Sequence, residues 1–198
     1  IINLKGEVII PFEYRAILKE GPFIQCATNA TAQKNTLLWR FSTHRYKYLH
    51  LSGLKWLNNQ LEVIYEGEIK EIKDFRNNAL IIIKEGLKLG AINSSGKTII
   101  PAKYTELYCP CENRFIAGIQ DHEIRFGVIN EKEKAIIPFE YKQIDSENGS
   151  FYCCYTERGS VDAIWMNRSG REIFQGKATP LSDTFLKIEK NGKQGVIN

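Results

Sequence analysis

The sequence predicts an all-β fold made of tandem repeats of three- to four-stranded antiparallel units. Three observations lead to this prediction. One motif that contains proline occurs three times, a second motif that ends in asparagine recurs in phase with it, and the runs between turn residues are short and rich in β-formers. No window shows a sustained 3.6-residue apolar period, so we expect little helix.

The first motif is an apolar pair followed by Pro, two further residues and Tyr. Its copies are Val8–Tyr14, Thr98–Tyr104 and Ala135–Tyr141. Proline cannot donate to a β-ladder, so it should mark the end of a strand or the edge of a sheet. We expect the Tyr ring to pack on the next unit while its hydroxyl reaches solvent or a backbone carbonyl.

The second motif is Gly-(Val/Ala)-Ile-Asn, and it sets the period. Its Asn stands at positions 93, 130 and 198, and a degenerate copy, Ile164-Trp165-Met166-Asn167, places Asn at 167, so the steps from 93 to 130 and from 130 to 167 are 37 residues each. From Asn3 to Asn93 there are 90 residues, which must hold two units and an insertion. The chain therefore reads as a single repeat domain, 1–198, of about five units, approximately 1–40, 41–93, 94–130, 131–167 and 168–198.

Each unit translates into strands, with residues 114–144 as the template. Residues 114–119 and 124–129 describe a hairpin, residues 135–137 a third strand, and residues 141–144 a short fourth strand. The turns before the third strand, such as Asn93–Gly96 and Asn167–Gly170, place Asn first and Gly fourth. Asn opens such a turn through its side-chain oxygen, and Gly accepts the positive φ that follows.

This pattern resembles the WG-containing (KWG-type) repeat of bacterial proteins. The resemblance covers most of the chain and is strongest at residues 79–144 and 184–198. Leu89-Gly90, Phe126-Gly127 and Gln194-Gly195 stand where the family has Trp-Gly. The resemblance implies a β-rich scaffold or recognition role and supplies no catalytic residue, so we expect a protein that is not an enzyme.

The way in which the units associate is open at this point. One unit has too little core to be stable alone, so neighbouring units must cover each other's apolar faces. A propeller-like closed ring would leave no edges exposed, whereas an open twisted hairpin array would suit a slice of a longer repeat tract.

Composition narrows the class of protein. Hydrophobic residues make up 43% and charged residues 25%, which is typical of a folded globular chain. The net charge of +4 comes from interleaved acids and bases, which predicts solubility and does not favour nucleic acid as a partner. No apolar run approaches the roughly 20 residues that span a bilayer, and Ile1–Lys5 lacks the features of a secretion signal. We therefore expect a soluble protein without membrane insertion.

The sequence contains few candidates for a catalytic residue or a metal ligand. The five cysteines stand at positions 26, 109, 111, 153 and 154, and their spacing favours structural thiols over a disulfide framework. Cys109-Pro110-Cys111-Glu112 is the sharpest candidate for a metal or redox site, but zinc sites need wider Cys pairs and a second matching pair. None of the three histidines stands in a catalytic motif. We expect no catalytic residue, no metal and no cofactor.

The most informative region lies where the repeat decays, between positions 37 and 56, because aromatic and basic residues interleave there. One interpretation packs the aromatic side chains into the core and exposes the basic ones. Under the other, a protein or peptide partner stacks on a rim of residues of the kinds that dominate interface hot spots, namely Trp39, Arg45, Tyr46, Tyr48 and Trp56. A glycan-binding module that uses the same exposed aromatics is the alternative function.

Overall fold

The computed structural model describes residues 4–32, 48–75, 78–146, 149–160, 163–190 and 192–197. Every regular element within these ranges is a β-strand, and the strands form five small antiparallel sheets of three or four strands. The predicted all-β fold of tandem three- to four-stranded units is confirmed. In the same ranges no helix has the length and apolarity needed to cross a lipid bilayer.

The chain divides into two compact units. The first comprises residues 1–84 with 92–97, and the second comprises residues 85–91 with 98–198. The first sheet lies in the first unit, the third, fourth and fifth sheets lie in the second, and the strands of the second sheet are divided between them. In every sheet the strands follow one another in chain order, as in a meander.

The first two sheets have four strands each. The strands of the first sheet are β1 (Ala16–Glu20), β2 (Phe23–Ala32), β3 (Tyr48–Leu57) and β4 (Val63–Glu66). The strands of the second sheet are β5 (Glu68–Phe75), β6 (Asn78–Glu85), β7 (Lys88–Asn93) and β8 (Thr98–Tyr104).

The remaining sheets have four, four and three strands. The third sheet contains β9 (Glu106–Cys111), β10 (Arg114–Gln120), β11 (Ile124–Ile129) and β12 (Ala135–Tyr141). The fourth contains β13 (Gln143–Asp145), β14 (Phe151–Tyr155), β15 (Ala163–Asn167) and β16 (Glu172–Gly176). The fifth contains β17 (Ala178–Pro180), β18 (Leu186–Lys190) and β19 (Lys193–Ile197).

The sheets begin and end in a different phase from the units counted along the sequence. Counting by asparagine divided the chain at Asn130 and Asn167, whereas the sheets end at Tyr141 and Gly176. The short strand expected after Tyr141 exists as β13, but it pairs with β14 and opens the next sheet. The true first strand of the template unit is β9, which sequence reasoning treated as a cysteine motif.

The proline motif forms the fourth strand of the second and third sheets. Pro101 lies inside β8 and Pro138 inside β12, and both strands are at the edge of their sheets. An edge strand has one side free of ladder bonds, so a residue without an N–H is tolerated there. The edge position predicted from proline is therefore confirmed.

The asparagine turn is built identically in four sheets. The Oδ1 atom of Asn93 accepts the backbone N–H of Ser95 at 3.0 Å and that of Lys97 at 2.9 Å, and the same two bonds recur at Asn130 and Asn167. Asn58 makes them as well, to Gln60 at 2.9 Å and Glu62 at 3.0 Å. Asn58 is thus the repeat marker that the sequence count did not find between Asn3 and Asn93.

The fourth strand that follows this turn contacts its sheet in one of two ways. In the second and third sheets, Gly90 and Gly127 let the backbone of the fourth strand approach closely. In the first and fourth sheets a tryptophan holds that strand. Trp56 Nε1 donates to the Gly67 carbonyl at 3.1 Å, and Trp165 Nε1 donates to the Gly176 carbonyl at 3.1 Å. These tryptophans stand two residues before the turn Asn, so they occupy the positions of Ala91 and Val128 and not that of the motif glycine.

Packing between successive sheets is clearest around Tyr104, at the end of β8. Its ring is buried and stacks on Phe139 of the third sheet with a centroid separation of 6.3 Å. Its hydroxyl donates to the Glu133 carboxylate at 3.0 Å, and Lys103 pairs with the same carboxylate at 2.6 Å. The ring packs on the next unit as predicted, although the hydroxyl reaches a carboxylate instead of a carbonyl or solvent.

Candidate interaction surface

In the second unit, several loops and turns lie at one end of the sheets. In an up-and-down sheet, the connection from the first to the second strand and the turn from the third to the fourth strand lie at the same end. At this end of the third to fifth sheets lie the hairpin Cys111–Arg114, the residues Ser146, Gly149 and Ser150, the turn Asn167–Gly170 and the loop Leu181–Phe185. Loops held by a rigid β scaffold are where binding residues concentrate.

An open cleft of about 480 Å³ lies between the loops of the fourth and fifth sheets, and we call it the loop cleft. Residues from three separate connections line it: Ser150, Phe151, Asn167, Arg168, Ser169, Asp183 and Thr184. The lining combines one aromatic ring, several hydroxyl groups, and one charged group of each sign. The loop cleft can therefore accept both a polar main chain and an apolar side chain.

The loop Leu181–Phe185 borders this cleft and is held by its own hydrogen bonds. The Ser182 hydroxyl accepts the backbone N–H groups of Thr184 and Phe185, each at 3.2 Å, and Leu181 N–H donates to the Phe185 carbonyl at 2.9 Å. The loop nevertheless leaves Leu181 56% exposed and Phe185 45% exposed. An ordered loop that presents two large apolar side chains to water is suited to contact with a partner.

Beside the loop cleft lies a second group of side chains, on the face of β14 that looks toward the third sheet. Tyr152 is 0% exposed and shares a buried cluster with Ile116 of β10, whereas Phe151, the next residue along the strand, faces the other way, where it packs with Trp165 and Leu186 and borders the cleft. Cys111, at the end of β9, touches Gly149 near the Tyr152 hydroxyl. Burial raises the pKa of the Cys111 thiol, and the positive charges of Arg168 and Arg114 oppose that rise.

The structure describes two of the five residues predicted to form a binding rim. Trp56 does not lie on a rim: it is only 3% exposed, its indole N–H bonds to Gly67, and it packs with Phe23 and Ile81 in the core of the first unit. Tyr48 begins β3 and pairs in register with Ala32. Trp39, Arg45 and Tyr46 lie outside the described residues, so their part of the prediction stays a prediction.

The cysteines are structural in their setting. All five are free, so the prediction of thiols over disulfides is confirmed. Burial raises the pKa of Cys26 and Cys153, and raises that of Cys154 to about 12. The Cys109 thiol donates to the Cys111 carbonyl at 3.2 Å. Among the residues that the structure describes, no three His, Cys, Asp or Glu side chains are grouped to hold a metal ion.

Sequence reasoning missed the loop cleft altogether. The turn Asn167–Gly170 was recognised from its Asn and Gly, but Arg168 inside it received no role, because a turn motif explains backbone geometry and not the direction of a side chain. No motif marks Ser150, Asp183 or Thr184 either. Only the pairing of the strands brings their three connections together.

Comparison with known proteins bears on the architecture. Residues 1–23, 90–117 and 126–153 match the family model described as the WG-containing repeat. The resemblance inferred from the proline and asparagine motifs is thereby confirmed at three places in the chain. Neither the curated proteins nor the solved structures contain a significant match.

Proposed function

Because this chain carries WG-containing repeats, we propose that it is a non-enzymatic repeat module that binds a protein or peptide partner, and that the loop cleft is the binding site in the described part of the chain. The observation that carries the proposal is the open cleft of about 480 Å³ beside a loop with two exposed apolar side chains. The β-sheets supply the scaffold, and the loops supply the contact surface.

The lining of the loop cleft suits a peptide in extended conformation. The exposed Leu181 and Phe185 beside the cleft can cover an apolar side chain of the partner, and burial of such a side chain contributes about 1.5–3 kcal/mol. The hydroxyl and amide groups of the lining can bond to polar groups of the partner's main chain. Arg168 and Asp183 then set the register through charge.

The chemistry of the thiols supports a role without catalysis. A nucleophilic cysteine needs a lowered pKa, because the thiolate is the reactive form. Burial raises the pKa of Cys26, Cys111, Cys153 and Cys154 instead. His122, a second candidate for chemistry, is exposed at the hairpin between β10 and β11. These groups fit a scaffold better than an active site.

The experiment is a selection of peptides from a random display library on the purified chain, followed by calorimetry with the selected peptides as free molecules. We expect sequences with an apolar anchor to be enriched. The double variant Leu181→Ser, Phe185→Ser should weaken their binding by roughly 10-fold or more, since the loss of a hot-spot contact costs at least about 1–2 kcal/mol. Both side chains are exposed, so the fold is expected to tolerate the change.

The matched control is Leu87→Ser, which removes an even more exposed apolar side chain at the hairpin between β6 and β7. It should leave binding unchanged. A further variant, Trp39→Ala with Tyr46→Ala, tests the predicted rim. If it abolishes binding while the loop variant does not, the partner contacts residues 37–56 and not the cleft. A library that yields no binder, with cell-wall saccharides protecting tryptophan fluorescence instead, would replace the proposal by glycan binding.

A further inference from the structure

Two buried hydrogen-bond donors at the junction of the third and fourth sheets have no acceptor within the described part of the chain. They are the Tyr152 hydroxyl and Arg114 Nε. A buried polar group without a partner costs about 1–3 kcal/mol, and folded proteins rarely tolerate it without a ligand, an ion or water nearby. Two such groups at one junction therefore call for an acceptor that the described residues do not supply, either a water or a ligand.

The strand geometry places these two donors on one side of the junction. Arg114 and Ile116 are two residues apart on β10 and share a face of the strand, and Ile116 packs against Tyr152. Arg114 is paired in register with Cys111 across the hairpin. A Cβ atom built on Gly149 would collide with the Cys111 sulfur and lie 3.5 Å from the Tyr152 hydroxyl oxygen. The hydroxyl is thus close to the cross-strand partner of Arg114.

The charged groups around this junction are mostly positive, since Arg114 and Arg168 both act on Cys111, against the one carboxylate of Glu112. The Arg114 guanidinium is held in place by its donation to the Asn113 carbonyl at 2.9 Å. Arg168, in the turn at the same end of the fourth sheet, is close enough to act on the titration of both Cys111 and Tyr152. Because burial raises the pKa of Cys111, its thiol is neutral at physiological pH and does not supply a counter-charge.

Access to the junction is from the loop end of the sheets. Tyr152 is buried, but Arg114 and Cys111 are half-buried and Arg168 is exposed. Arg168 also lines the loop cleft. Arg168 therefore belongs both to the lining of the loop cleft and to the surroundings of the two donors.

We propose that Tyr152, Arg114 and Arg168 form a subsite for an oxyanion, and that its occupant is a carboxylate of the peptide bound in the loop cleft. The two buried donors point to an acceptor, and the two guanidinium groups select a negative one. The source of the oxyanion is an acidic side chain of the partner, which makes the partner an acidic peptide. The identity of the occupant, an acidic peptide, rests on the proposed function. The binding of an oxyanion at the subsite does not.

The first test uses inorganic phosphate and acetate as probes, each compared with chloride at equal ionic strength. Thermal melting of the wild-type chain should rise with either probe, because a ligand that binds the folded state stabilises it. Tyr152→Phe removes only the hydroxyl, so the probe should bind roughly 10- to 100-fold more weakly. In chloride alone the variant should melt no lower than wild type, since it removes an unsatisfied buried group.

Tyr141→Phe is the matched control, because Tyr141 belongs to the same buried cluster. It should keep the full response to phosphate and acetate. Equal melting of the wild-type chain in phosphate, acetate and chloride would overturn the subsite and indicate that water satisfies the two donors. An undiminished response in Tyr152→Phe would overturn it as well.

The second test separates the subsite from the proposed function. Selected peptides should contain Asp or Glu, and the change of that residue to Asn or Gln should weaken wild-type binding but have little further effect on Tyr152→Phe. Peptides that bind without an acidic residue would leave the function standing and refute the carboxylate. A response to phosphate and acetate together with a library that yields no binder would keep the oxyanion subsite and refute the peptide as its source.

Discussion

The glycine of the Gly-x-Ile-Asn motif offers one substitution at three equivalent positions with different expected outcomes. At Gly127 of β11, an added Cβ would lie 2.8 Å from the Ile137 carbonyl oxygen, and at Gly90 of β7 it would lie 2.7 Å from both the Ile100 oxygen and the Ala102 nitrogen. At Gly195 of β19 the nearest atom is Ile188 Cγ1 at 3.6 Å, which is ordinary contact. The motif is therefore sterically demanding at two positions and permissive at the third.

The magnitudes follow from these contacts. Overpacking against atoms that cannot move costs about 1–3 kcal/mol, and a backbone carbonyl in a fourth strand is such an atom. Replacing Gly by Ala returns about 0.4–1 kcal/mol, because the unfolded chain loses freedom. Gly90→Ala and Gly127→Ala should each destabilise the chain by about 1–2 kcal/mol, whereas Gly195→Ala should be neutral or slightly stabilising.

Urea unfolding followed by circular dichroism measures these differences. With an m-value of about 2 kcal/mol per molar, the midpoint should fall by roughly 0.5–1 M for Gly90→Ala and Gly127→Ala and should not fall for Gly195→Ala. An equal loss at all three positions would mean that conformational freedom, and not the close approach of the fourth strand, accounts for the glycine. No loss at Gly90 or Gly127 would refute the steric argument.

Three further predictions concern single contacts. Trp165→Phe and Trp56→Phe should each lower the free energy of unfolding by about 1–3 kcal/mol, because the carbonyl of Gly176 or Gly67 loses its hydrogen-bond donor. Equal urea midpoints for the wild-type chain and the variants would contradict this. Glu133→Ala should lower the melting temperature more than Glu133→Gly. Both variants lose the ion pair with Lys103 and the hydrogen bond from Tyr104, but only glycine relieves the positive φ of 58° at this position. The reverse order would show that the turn is unstrained. Stability should decline as pH rises from about 9 toward 12, because burial raises the pKa of Cys154 to about 12, and a thiol that ionises first in the unfolded state favours unfolding. Cys154→Ala should flatten that decline in pH-dependent urea unfolding, and an unchanged slope would assign it to other groups.

The repeat could be predicted because its local signals are strong. Proline restricts the fourth strand to an edge, and an asparagine oxygen with a positive-φ residue three positions later specifies the turn, so Pro101, Asn93 and Asn167 each indicated their place. Asn58 was missed because Leu61, with φ of 64°, occupies the position of the glycine. The similarity of Trp56-Leu57-Asn58 to Trp165-Met166-Asn167 was the signal that could have found it.

The binding surface could not be predicted in the same way. Trp56 and its neighbours have the composition of an interface, yet Trp56 is buried because its indole holds the fourth strand of the first sheet. An aromatic side chain in a strand serves the core or the surface according to which face is covered, and composition does not reveal the face.

The sequence by itself determined the class of fold, the repeat and its turns, because these depend on dihedral preferences and hydrogen bonds between residues a few positions apart. Only the tertiary structure decided where one sheet ends and the next begins, since β13 could join either neighbour by its sequence. It also decided that Ser150, Arg168 and Thr184 line one cleft and that Tyr152 and Arg114 are buried donors. Such contacts join residues that are distant along the chain, and the packing of whole sheets brings them together.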